Sequence, residues 1–131
     1  MPAGLAHLKV VIRCADYDRS REFYAQVLAL PVVEEWDEDE GRGCVFEVAA
    51  GAWVEIYEMT QRDARFSEAF TRPVVNDKID LQLHTDSLDA WVARLNGVWA
   101  YRGPETLPWG QRWIQLRDPD RVLVAIYEAG K

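Results

Sequence analysis

The sequence predicts an α+β fold of two tandem βαβββ units, and two repeats inside the chain carry that prediction. Val54-Glu55-Ile56-Tyr57-Glu58 returns 70 positions later as Val124-Ala125-Ile126-Tyr127-Glu128, with Glu55 against Ala125 as the one difference. Asp16, which follows the apolar run Val10-Val11-Ile12, finds a counterpart at the same offset in Asp86, which follows Leu81-Gln82-Leu83-His84-Thr85. Self-similarity at a fixed period is the mark of a duplicated supersecondary unit.

The first unit opens with a strand over 8–13, in which Val10, Ile12 and Cys14 form an apolar face opposite Lys9, Val11 and Arg13. Asp16 or Asp18 caps a helix whose Phe23, Tyr24, Val27 and Leu28 recur at helical spacing, and Pro31 stops it. A second strand begins at Pro31-Val32-Val33 and runs into an acid-rich stretch, residues 34–40, that reads as a solvated hairpin tip before Gly41. Strands over 44–49 and 53–58 flank the Ala50-Gly51 turn and complete the unit.

Residues 61–76 read as a crossover, with Phe66, Ala69 and Phe70 spaced for a short helix that Pro73 ends. The second unit, 77–131, repeats the plan. A strand over 79–85 precedes a helix capped by Asp86, with Leu88, Trp91, Val92 and Leu95 on one face and Gly97 at its C-terminal end. A short strand over 98–101, a loop over 102–110, a strand over 112–117 and the Asp118-Pro119-Asp120-Arg121 turn lead to the last strand, 122–128.

At 131 residues the chain has the length of a single domain, long enough to bury roughly two thirds of its unfolded surface. With 49% hydrophobic and 28% charged residues it is globular in composition, and its short apolar runs and unpatterned start predict a cytoplasmic protein rather than a membrane one. Two cysteines, Cys14 and Cys44, read as buried thiols. A net charge of −7 makes nucleic acid an improbable partner and favours a cationic small molecule.

Two quoted stretches carry a family resemblance. Asp16-Tyr17-Asp18-Arg19-Ser20 followed by Phe23-Tyr24 and Val27-Leu28, together with Trp109-Gly110 before Asp118-Pro119-Asp120, resembles the vicinal oxygen chelate superfamily. That superfamily includes glyoxalase I, extradiol dioxygenases and bleomycin resistance proteins, and the chain is most similar to the last of these. Arg121 stands where the family usually has glycine. The resemblance implies cup-shaped mixed sheets with helices outside, a ligand pocket within, and pairing as a homodimer, whose interface Phe66, Ala69 and Phe70 could help to cover.

The resemblance also implies that enzymes of the superfamily hold a divalent metal through one side chain from the first and last strand of each unit. Those positions carry over to Lys9, Glu55, Asp80 and Ala125, and only two of them can ligate a metal. Lys9 is therefore expected to place its ammonium between Glu55 and Asp80, where the ion would act. His84 lies four residues from Asp80, roughly 13 Å along a strand, and cannot share an ion with it. His7, Glu55 and Asp80 form the alternative, a rebuilt metal site.

Strand parity places on the cup wall Lys9, Val11 and Arg13; Trp53, Glu55 and Tyr57; Asp80, Gln82 and His84; Leu123, Ala125 and Tyr127; and Trp113, Gln115 and Arg117. Trp109 joins them from the preceding loop. Polar and aromatic groups on faces whose reverse is apolar read as a small-molecule site, with the aromatics for stacking and the carboxylates for a cation. No nucleophile dyad, phosphate loop or Cys-x-x-Cys stands in the sequence, and no catalytic residue is assigned. The expected function is metal-free sequestration of an aromatic or cationic compound. The alternatives are a metal-dependent lyase, isomerase or dioxygenase, and an interaction module whose cup a partner segment fills.

Overall fold

The computed structural model describes residues 3–59, 68–75 and 78–129, and the chain divides into two compact units, Met1–Arg72 and Pro73–Lys131. In the first, β1 (Leu8–Arg13) leads to α1 (Tyr17–Glu22), which continues as a π-helical stretch (Phe23–Val27). Strands β2 (Val32–Glu38), β3 (Gly41–Ala49) and β4 (Ala52–Met59) follow. In the second, β5 (Leu81–His84) and α2 (Leu88–Leu95) precede β6 (Tyr101–Thr106), β7 (Arg112–Arg117) and β8 (Leu123–Glu128). Each unit is one mixed four-stranded sheet, ordered β1-β4-β3-β2 and β5-β8-β7-β6, with its first strand parallel to its last. The duplicated architecture is the one the repeat predicts.

Alternation decides which face of each sheet the helix covers. Ile12 and Cys14, Cys44 and Phe46, and Val54 and Ile56 are buried against Phe23, Tyr24 and Val27. The Tyr24 ring lies 4.9 Å from Phe23 and 5.8 Å from Phe46. Leu88 and Leu95 of α2 cover Ile114, Leu116, Val124 and Ile126 in the same way. At about 1.5–3 kcal/mol for each fully buried large apolar side chain, these two helix-facing cores dominate the stability of their units.

Both units fasten helix to sheet with the same ion triad. In the first, Arg42 donates to Glu58 at 2.7 Å and to the first-turn Asp18 at 3.1 Å, with its guanidinium 4.6 Å from the centre of the Tyr17 ring. In the second, Arg112 donates to Glu128 and to the first-turn Asp89, each at 3.3 Å. The last glutamate of the duplicated strand motif is thus half of a clamp, which is why Glu58 and Glu128 match although Glu55 and Ala125 do not.

Several expected boundaries differ. The cap of α2 is Ser87, whose hydroxyl accepts from the Ala90 amide at 3.2 Å; it is one residue beyond Asp86, because the strand-to-helix link of the second unit is one residue out of step with the matched aspartates. Asp16 is the cap of α1, accepting from Arg19 N at 3.1 Å. Ser87→Ala is therefore expected to cost about 1 kcal/mol and Asp86→Ala a few tenths, read from urea unfolding midpoints. Equal losses would reassign the cap.

β2 runs through the acidic stretch to Glu38, leaving Asp39 and Glu40 as the turn. Of the expected strand over 98–101, Tyr101 opens β6, while the residues before it belong to the turn that ends α2, where the Val98 and Trp99 amides donate to the Leu95 carbonyl and Gly97 adopts φ 76°. The expected loop contains β6 because an edge strand with a bulge between Arg102 and Glu105 tolerates Gly103 and Pro104. Asp80 precedes β5 rather than lying in it. In the crossover, Phe66 lies outside the described residues, while residues 68–72 form a turn in which Arg72 N donates to the Glu68 carbonyl at 2.9 Å. Phe70 is fully buried, edge-on to Tyr57 at 5.3 Å, so within this chain it packs against the face of the sheet away from the helix and is not free to cover an interface. Arg121 does adopt the left-handed conformation its family position requires, with φ 70°.

Candidate functional site

The face of each sheet away from its helix carries the polar and aromatic residues. In the first unit the register sets Lys9 beside Trp53, Val11 beside Glu55 and Arg13 beside Tyr57. Trp53, Glu55 and Tyr57 are half buried, while Val54 and Ile56 between them are closed off behind. Trp53 donates from Nε1 to Glu47 at 3.3 Å and meets the His7 ring at 4.2 Å. The Arg13 guanidinium lies 5.7 Å from the Tyr57 ring centre, within cation–π range.

At the heart of this face Lys9 Nζ stands 2.9 Å from Glu55 Oε1, with side-chain exposures of 42% and 15%. An ammonium occupies the first-strand position and is bonded to the last-strand carboxylate. The corresponding last-strand position of the second unit is Ala125, fully buried and without a donor atom. His7, the proposed substitute ligand, is exposed and packed on an indole. Among the described residues no three His, Cys, Asp or Glu side chains gather in a way that would hold a metal ion. A cation repels Lys9 and finds nothing at Ala125, so these residues do not fit the divalent ion that the superfamily enzymes carry.

In the second unit, Gln82 pairs with Ala125 and His84 with Tyr127 across β5 and β8, and Trp113 and Gln115 continue the same rows on β7. The His84 and Tyr127 rings are 5.3 Å apart. Trp113 donates to Glu105 at 3.3 Å, and Gln82 to Asp80 at 3.1 Å, so the partner seen for Asp80 is an amide. Trp109 is 67% exposed on a turn where it donates to Gln111 at 3.1 Å.

Four residues of these faces escape a reading of the sequence. Trp36 pairs with Gly43 across β2 and β3, and a methyl group added to Gly43 would fall 1.9 Å from the indole, so the glycine exists here to let the ring lie against the sheet. Its burial among acids in the sequence hides it, although its alternation with Glu34 and Glu38 was a signal. Glu47, Glu105 and Arg102 face the same way only by cross-strand register, which no local pattern reveals.

On the helix side, Cys44 and Tyr17 are buried and poor nucleophiles. Burial pushes the Cys44 thiol up to about 11, with Glu35 adding to it, and likewise pushes the Tyr17 hydroxyl up to about 12. Both stay protonated at neutral pH.

A duplicated βαβββ chain, each unit a mixed four-stranded sheet with its helix on one face and aromatic and charged side chains on the other, defines the class of fold. This chain belongs to the Glyoxalase/Bleomycin resistance protein/Dioxygenase superfamily, whose pattern it matches over residues 4–126. Among solved structures it is similar to TnmS3, an antibiotic binding protein from Streptomyces sp. CB03234, with a TM-score of 0.74 and 20% identity over 99% of this chain and 100% of that one. It is also similar to a glyoxylase/bleomycin resistance protein/dioxygenase domain from Frankia sp. EAN1pec, with a TM-score of 0.70 and 19% identity over the whole of both chains. The fosfomycin resistance protein FosX from Listeria monocytogenes follows at a TM-score of 0.64 and 17% identity, over 100% of this chain and 96% of that one. At such identities the likeness concerns the fold alone. No curated protein sequence matches the chain. No helix among the described residues is long and apolar enough to cross a membrane.

Proposed function

We propose that this chain is a metal-free small-molecule-binding protein that sequesters an aromatic or cationic compound. The observation that carries the reading is the Lys9–Glu55 ion pair at 2.9 Å, which puts a fixed ammonium at a position where the superfamily enzymes place a metal ligand. Around it, Trp53 and Tyr57 supply flat half-buried surfaces, and the net charge of −7 draws cations toward the protein. The description of TnmS3 as an antibiotic binding protein favours sequestration over turnover within this fold. The reading includes a homodimer in the cytoplasm, as the superfamily resemblance implies; a monomer mass by light scattering would remove that part.

Elemental analysis of the purified protein is expected to find no stoichiometric divalent ion. Calorimetric titration with an aromatic cation such as N-methylquinolinium should give binding that Trp53→Ala and Glu55→Ala each weaken. One tightly held divalent ion per chain would overturn the reading in favour of a metal-dependent lyase, isomerase or dioxygenase.

A further inference from the structure

The open face of the second unit ends in two cations on neighbouring strands. Arg102 of β6 is opposite Gln115 of β7, and Arg117 is the next residue of β7 on the same face, opposite Leu123 of β8. Diagonal neighbours of this kind stand roughly 7–8 Å apart between backbones, within easy reach of two long side chains. Arg102, Gln115, Arg117 and Leu123 line a cleft of about 250 Å³. Arg117 donates to the Arg121 carbonyl at 3.1 Å, which holds its guanidinium at the end of the strand.

The chain has 22 acidic and 15 basic side chains and uses the excess to clamp Arg21, Arg42 and Arg112 with carboxylates. Among the described residues Arg102 makes no ion pair, although it shares its cleft with a second guanidinium. Arg102 thus carries a charge that a bound anion would pair with.

We propose that Arg102 and Arg117 form a site for the carboxylate of a small molecule bound on this face of the second unit, with the Gln115 amide as a third donor. A guanidinium fork matches the planar, two-oxygen edge of a carboxylate, and Leu123, 8% exposed, gives an apolar floor for the carbon that bears it. The same face continues along β7 from Gln115 to Trp113 and along β8 to Tyr127, so a ring attached to that carboxylate runs toward the aromatic row. The ligand class narrows to aromatic carboxylates, including zwitterions whose cationic end suits Glu105. This inference rests on the reading that the open face binds small molecules.

The test is calorimetric titration with 2-naphthoate and 2-naphthamide, which share a ring system and differ in charge, with N-methylquinolinium alongside. The wild-type protein should bind the acid about fivefold more tightly than the amide, and Arg102→Gln and Arg117→Gln should each erase the difference. Arg102 is exposed, so its replacement leaves the fold intact, which circular dichroism checks. Equal binding of acid and amide, a preference that survives Arg102→Gln, or binding of the quinolinium alone would overturn the subsite and leave the small-molecule reading standing. Failure of all three probes would overturn that reading and the subsite with it.

Discussion

Replacing Glu128 by alanine is expected to lower the stability of the second unit by about 2 kcal/mol, the sum of a lost helix-end acceptor and a lost ion pair. Glu128 Oε1 accepts from the Leu88 amide at 2.5 Å, at the first residue of α2, while Oε2 holds Arg112. That amide has no partner inside the helix, so a carboxylate there satisfies an orphan donor and meets the positive end of the helix dipole. The side chain is 25% exposed, so screening trims the ionic share without removing it. Glu58 occupies the same place in the first unit, but the hydrogen bonds seen for it go to Arg42, and Glu58→Ala should cost about 1 kcal/mol. Urea unfolding of both variants separates the two roles. Equal losses would mean that the contact with Leu88 N contributes nothing.

Replacing Lys9 by methionine is expected to raise the affinity for an aromatic cation roughly tenfold at low salt, since an opposing charge next to Glu55 is removed and the carboxylate is released. Methionine keeps most of the apolar stem, and with Lys9 42% exposed the fold should lose no more than about 1 kcal/mol. The gain should shrink as salt is added, because both groups are partly open to water. Calorimetry at two ionic strengths reads both effects. An unchanged affinity would place Glu55 outside the ligand's reach and remove the strongest argument for a cation site.

The duplicated architecture was legible because it is written in periodicities. Alternation within 54–58 and 124–128 sorts residues between two faces, and the helix-spaced Phe23, Tyr24, Val27 and Leu28 fix what covers one of them. The same alternation set the polar residues of β1, β4, β7 and β8 on the opposite faces. What the sequence concealed depends on contacts between distant strands. Glycine and proline at 103 and 104 signalled a loop, and only the edge position of β6 makes a bulged strand there acceptable. Asp86 looked like the cap because it matched Asp16, while the better-placed Ser87 had no counterpart to point to it. Arg102 joins its face through a partner on β7, so it could not be found from its own neighbours.

The ion triads of Arg42 and Arg112 lie on the helix side of their sheets, while Lys9, Trp53, Gln82 and Tyr127 lie on the other. Anchorage and the proposed recognition are therefore assigned to opposite sides of the same strands. On the proposed reading, residues that would meet a guest molecule can be exchanged without unpinning a helix, which leaves the chemical taste of the scaffold free to drift under selection while its skeleton holds.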